Sequence, residues 1–320
     1  MPDAPAEPVP AATSSAPDPD VERSALGRLR HRSGMSPRTF ALTVGLPIVG
    51  AVVLILALVA SPADQRVQVA GGALVAAVAG LSVASVGVFG GVLVPGLLLI
   101  GIDTAIVAPL SLMLQVLIIP LAAASHYSQG NVSHRVTRPL IAGGLLGALG
   151  GVAFVSFLRP DLVARLIALV IIGVGLLVLA TMRFRGLGQE RGDDVPTGRV
   201  AGIGFVAGFP TAISGAGWGP VGVTLLILSR FETRVAVGSS TFGRIFIALA
   251  SVGFYILLGK GAALQNVVDH WWLLPALWAG AILAILPGSM IIGRIGRTRG
   301  TIVVTILSIS LAIPTLIFGH

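Results

Sequence analysis

Nine stretches of this chain are apolar over about 18 to 26 residues each: 41–60, 68–88, 104–125, 138–158, 162–181, 199–217, 234–259, 270–293 and 301–318. A helix rises about 1.5 Å per residue, so such stretches match the roughly 30 Å hydrocarbon core of a bilayer. Lipid offers the backbone no hydrogen-bond partners, and a continuous helix is one of the few structures that satisfies its own. The whole chain agrees, with 55% hydrophobic and 11% charged residues and a mean hydropathy of +0.95. A soluble domain carries about 25% charge. The expected fold is an all-α polytopic membrane protein.

The net charge of +8 does not call for nucleic acid. The cations sit in short loops and in the N-terminal tail, as the positive-inside rule requires. Residues 1–40 are rich in Pro, Ala, Ser and Asp, then in Arg, and read as a disordered cytoplasmic tail. Five arginines between Arg23 and Arg38 could form a signal-peptide n-region ahead of 41–60. The length of 41–60 favours an uncleaved extra transmembrane helix with its N-terminus in the cytoplasm. With no cysteine in the chain, thiolate chemistry and disulfides are excluded.

Two shorter apolar pieces, 90–101 and 219–229, follow glycine-rich breaks: SVGVFGGVLVP from Ser85 to Pro95, and SGAGWGPVG from Ser214 to Gly222. Loops 126–137, 182–198 and 294–300 carry Arg135, Arg183, Arg185, Arg191, Arg294, Arg297 and Arg299, and are expected in the cytoplasm. Loops 61–67 and 260–269 carry one cation each and are expected outside. These placements agree only if each glycine-rich break is the tip of a hairpin, one entering from each side.

The two breaks belong to an internal repeat. A shift of 129 positions superposes Gly90 on Gly219, Thr104 on Thr233, Ser111 on Ser240 and Asp103 on Glu232. Residues 68–181 then form a first transporter repeat, 182–198 a cytoplasmic linker and 199–318 a second repeat. Each half is a broken-helix hairpin plus three transmembrane helices, and the loop charges invert one half relative to the other. Inverted repeats with broken helices at mid-membrane are a mark of secondary transporters.

A helix that starts within the membrane leaves about four N–H groups unpaired and a partial positive charge. Gly90 and Gly91 at one tip, and Gly217, Trp218 and Gly219 at the other, are candidates to hold an anion there. Isolated glycines such as Gly143, Gly144 and Gly147 are better explained by close helix packing. Arg244 lies deep in 234–259 with no carboxylate at matching depth, and a buried cation faces a cavity or a partner. Gln115 is its counterpart in the repeat. Ser111, Ser240 and Thr241 stand about one turn before these two residues and add hydroxyl donors. Asp103 and Glu232 open helices and are expected to cap them. No metal spacing, nucleophile–base pattern or cofactor motif is present, so the chain is not expected to be an enzyme and no cofactor is expected.

The residues carry a resemblance. VGVFGG followed by Val94-Pro95, and SGAGWGP followed by Ala236-Val237-Gly238-Ser239-Ser240, resemble the signature of the sulfite exporter TauE/SafE family over roughly 68–318. Phe89 and Trp218 stand within the glycine runs. The resemblance implies movement of small anions, sulfur-containing ones among them: sulfite, sulfonates or similar organic acids. The expected protein is a multi-pass exporter in the inner (plasma) membrane, working by alternating access around a mid-membrane site. Its expected partners are the anion, the bilayer and a second copy in a homodimer, with no nucleic acid. The rival readings are an anion channel of the same architecture, a non-transporting partner subunit and a membrane enzyme.

Overall fold

The computed structural model describes residues 37–86, 88–182, 196–258, 262–295 and 297–318. Residues 1–36 of the expected 1–40 tail, most of the 182–198 linker and the loop residue Lys260 lie outside them, while residues 37–40 are helical. Residues 47–320 form one compact unit, and residues up to Leu46 group apart from it.

Helix is the only regular structure among the described residues. The elements are α1 (Pro37–Ala60), α2 (Arg66–Val86), α3 (Gly90–Leu99), α4 (Thr104–Ser128), α5 (His134–Ser156), α6 (Pro160–Met182), α7 (Thr197–Ser214), a π-helical turn (Trp218–Val223) running into α8 (Thr224–Leu228), α9 (Thr233–Leu258), α10 (Ala262–Asp269), α11 (Leu273–Ile295) and α12 (Arg297–Phe318). Six of them are long and apolar enough to cross a membrane. The chain is a polytopic helical membrane protein.

Three details differ from the sequence reading. Of the expected loop 294–300, residues 294–295 end α11 and residues 297–300 open α12. Residues Ala262–Asp269, expected as loop, form α10. The second short helix opens as a π turn, not an α turn. The reason is local. Gly215 takes a left-handed conformation (φ 63°) that ends α7, and Gly217 (φ 119°) then redirects the chain into Trp218. Both conformations strain any residue with a Cβ. Pro220 has no N–H to give to a regular ladder, while the Val221 N–H bonds the Gly217 carbonyl at 2.7 Å.

The packing is reciprocal. The most extensive contacts are α5 on α7 and α11 on α2, so the third long element of each half packs on the first of the other. These crossings are made by glycine. A Cβ on Gly143 would overlap the Ala201 carbonyl, one on Gly147 the Phe205 carbonyl, and one on Gly204 the Leu140 carbonyl. Gly80 and Gly280 do the same between α2 and α11, against Ala281 and Ala73. In lipid there is no hydrophobic drive between helices, so close backbone approach supplies the attraction. Large apolar side chains such as Leu146, Leu169 and Phe205 are left on the outer surface.

Helices α4 and α9 run antiparallel through the centre. Thr104 and Tyr255 line one pocket near one end. Gln115 meets Arg244 in the middle. At the other end the Ser133 N–H donates to Ser239 Oγ at 3.0 Å. The two hairpin tips also meet here. A Cβ on Gly90 would overlap the Gly215 carbonyl. Phe89 and Trp218, equivalent under the 129-residue shift, are both fully buried and anchor the two tips.

Candidate functional site

Arg244 sits on α9 about three turns, or about 16 Å, from its start, a distance equal to half the thickness of a hydrocarbon core. It is only 5% exposed. Its Nε–H donates to Gln115 Oε1 at 2.8 Å. Gln115 in turn donates through Nε2 to the Gly215 carbonyl at 2.7 Å and to Ser111 Oγ at 3.2 Å. Its amide is thereby used on both sides, and it is held against the bend of the second hairpin. Among the described residues Gln115 is the sole hydrogen-bond partner of the guanidinium, and it is neutral. No described residue is bonded to the two terminal amino groups of Arg244.

A cavity of about 200 Å³ reaches Arg244, bordered by Trp218, Gly219, Pro220, Ser240, Thr241, Thr233 and Thr301, with Val88, Val178, Val223, Ile227 and Val237 as its apolar wall. A smaller cavity of about 20 Å³ continues from Arg244 between the tips, past Gly90, Gly91 and Gly217 to Thr305 and Ser308 on α12. No acidic residue is among the described residues lining either cavity.

Ser240 is buried and its Oγ has no hydrogen-bond partner among the described residues. Other hydroxyls in these helices bond back to the preceding turn, as Ser156 does to Val152 and Ser308 to Val304. Ser240 does not, and a buried polar group without a partner costs stability unless a ligand or water meets it. Its own carbonyl accepts from Trp218 Nε1 at 2.7 Å, which pins the indole to α9. The ring fills the space over Gly144, where a Cβ would meet it at 2.5 Å.

The expected site residues therefore separate into three groups. Trp218, Gly219, Ser240, Thr241 and Arg244 border the larger cavity. Gly90, Gly91 and Gly217 border the smaller one, with Gly90 also carrying the close approach to Gly215. Ser111 and Gln115 lie behind, as supports of Arg244 and of the bend. Asp103 caps α4, accepting from the Ala105 N–H at 2.7 Å. Glu232 pairs with Arg234 at the surface. Sequence reasoning misses the α12 hydroxyls. Their signal is Thr301, Thr305 and Ser308 at helical spacing on an otherwise apolar segment.

Two broken helices that meet beside an arginine buried within a many-spanning helical bundle place the chain among polytopic helical membrane proteins. Residues 72–314 match the family described as Sulfite exporter TauE/SafE, and the chain belongs to that family. It is 33% identical over 193 residues to a protein of Bacillus subtilis (strain 168) named "Probable membrane transporter protein YtnM". That alignment covers 59% of this chain and 62% of the relative. The chain thus spans about three fifths of the relative's length. No solved structure matches.

Proposed function

We propose that this protein is a transporter of a small monovalent oxyanion, and that its two halves are inverted and alternate access around Arg244. The observation that carries this is the Arg244 guanidinium, buried in the middle of α9, bonded to one neutral amide and bordering a cavity with no carboxylate among the described residues that line it. A cation so placed is expensive in a membrane unless an anion or water attends it. Its two free amino groups match the planar edge of a carboxylate, sulfonate or sulfite. The Ser240 and Thr241 hydroxyls can donate to the remaining oxygen. One positive charge favours one negative charge, since a second would be left uncompensated at low dielectric. The family's description adds sulfur to the candidate anions.

Inversion is supported by the antiparallel course of α4 and α9, which the 129-residue shift makes equivalent. Gln115 and Arg244, equivalent under the same shift, touch each other. Positions exchanged by a two-fold relation can do so only near its axis. Positive-inside loops favour the cytoplasmic side for the larger cavity, beside Thr233 and Thr301. Cysteines introduced at Gln129 and Gly188 should then react with an impermeant thiol reagent only from the cytoplasm, and one at Gln265 only from outside. Reaction at Gln129 and Gly188 from opposite sides would overturn the inverted arrangement.

Among the described residues lining the cavities there is no carboxylate or histidine to carry a coupling proton. An inside-negative potential drives a monovalent anion outward by about 2.3 kcal/mol per 100 mV, about fifty-fold in concentration ratio. In proteoliposomes without proton or sodium gradients, sulfite or methanesulfonate efflux should follow a potential set with valinomycin and potassium, and reverse with its sign. Its turnover per protein should also be orders of magnitude below channel conduction. A strict need for an ion gradient, with no response to potential, would overturn uncoupled transport.

A further inference from the structure

On the far side of Arg244 from the larger cavity lies a separate pocket of about 150 Å³, bordered by Thr104, Ala108, Pro109, Ser156 and Tyr255. Tyr255 lies on α9 about three turns beyond Arg244 and on nearly the same helix face. Between them that face presents Ala248 and Ser251, both buried and small. Ser251 is 0% exposed, and its Oγ has no hydrogen-bond partner among the described residues. It thus repeats the anomaly of Ser240 on the other side of Arg244. Two unpartnered hydroxyls flank the guanidinium along one face of one helix, with a cavity at one end and a pocket at the other.

Tyr255 closes that line. Its hydroxyl donates to the Ala212 carbonyl at 2.8 Å. Ala212 is in the last turn of the broken helix α7, where carbonyls have no partner within the helix. The ring packs against both apolar clusters of the protein. One hydrogen bond therefore ties the far end of α9 to the bend that also holds Gln115.

We propose that Tyr255 is the outer gate of the solute route, and that the route follows this face of α9 from Ser240 past Arg244, Ala248 and Ser251 to the pocket at Thr104. The proposal rests on the transport reading of the Arg244 site. When the Tyr255–Ala212 bond breaks, the ring swings away and Ser251 becomes reachable from the pocket. The Ser251 hydroxyl then finds its partner in the passing solute or its water. A purely structural tyrosine would cap the α7 carbonyl without controlling access.

The chain has no cysteine, so Ser251→Cys in the full-length protein introduces a single thiol that reports access by itself. A positively charged, impermeant methanethiosulfonate is applied to oriented vesicles from the Thr104 side. The thiol at position 251 should react slowly while Tyr255 is present. Tyr255→Phe keeps the ring and removes the bond, and should raise the rate about tenfold, the population change equivalent to about 1.4 kcal/mol. Tyr255→Ala should raise it further. In a separate series, Ala279→Cys places a thiol where α11 crosses α2, at a fully buried position. That thiol should stay unreactive with Tyr255 present and in both Tyr255 variants. Rapid reaction at position 251 with Tyr255 in place, an unchanged rate in both variants, or a parallel rise at position 279 would overturn the gate. The labelling uses no anion, so its outcome is independent of whether Arg244 binds one.

Discussion

Arg244→Gln should nearly abolish anion transport while leaving folded protein in the membrane. A glutamine amide can still donate to Gln115 Oε1, so the buried acceptor is not orphaned. What is lost is the charge and the pair of terminal amino groups of a side chain that borders the cavity. Two charge-assisted hydrogen bonds amount to at least about 3 kcal/mol, so anion flux should fall by roughly a hundredfold or more. Arg244→Lys keeps the charge but loses the planar fork. It should sit between, with weakened apparent affinity for the anion. Flux into proteoliposomes, normalised to the monodisperse protein inserted, is the measurement. Normal flux in Arg244→Gln would place the anion elsewhere.

Gly143→Leu should prevent folding, and Gly202→Leu should not. Both glycines sit within apolar helices, and sequence pattern alone cannot distinguish them. At Gly143 a Cβ would overlap the Ala201 carbonyl of the crossing helix, while at Gly202 nothing lies within 4 Å. Side chains can repack around an added methyl group, but two helix backbones at van der Waals contact can only move apart. Separating α5 from α7 would also loosen the contacts at Gly147, Gly151, Gly204 and Gly208, which share the crossing. The loss should exceed about 3 kcal/mol, the upper range for ordinary overpacking. That is a large part of the roughly 5–15 kcal/mol that holds a typical fold. Monodisperse yield in detergent and thermal unfolding should fall together for Gly143→Leu, with Gly202→Leu close to the parent protein. Equal tolerance at both positions would mean that α5 and α7 do not cross as described.

Much of this architecture is a local property of the chain. Whether a stretch of about 20 residues prefers hydrocarbon depends on its own side chains, so the spans can be drawn one at a time. Expected segments such as 104–125 and 162–181 fall within a few residues of helices Thr104–Ser128 and Pro160–Met182. The breaks at Ser214–Gly222 are equally local, because positive φ at Gly215 and Gly217 and the missing N–H of Pro220 act within one turn. The depth of Arg244 follows from counting residues along one apolar segment.

The partners of these residues are not local. Gln115 reads as a second ligand group beside Arg244, yet its amide is spent on Arg244, Gly215 and Ser111, and that depends on where two helices distant in sequence come to rest. Tyr255 looks like any interfacial tyrosine until the end of α7 arrives beneath its hydroxyl. Ser156 and Ser251 have the same side chain in the same kind of helix, and the first bonds back to its own turn while the second does not. The solvent of this protein, its spans, its two broken helices and the depth of its buried charge were all legible in the residue order, because each follows from interactions within a few turns. Which polar groups satisfy one another, and which are left facing the cavity, came only with the packed fold. Hydrogen bonds act over about 3 Å, and nothing short of the assembled backbone brings distant residues that close.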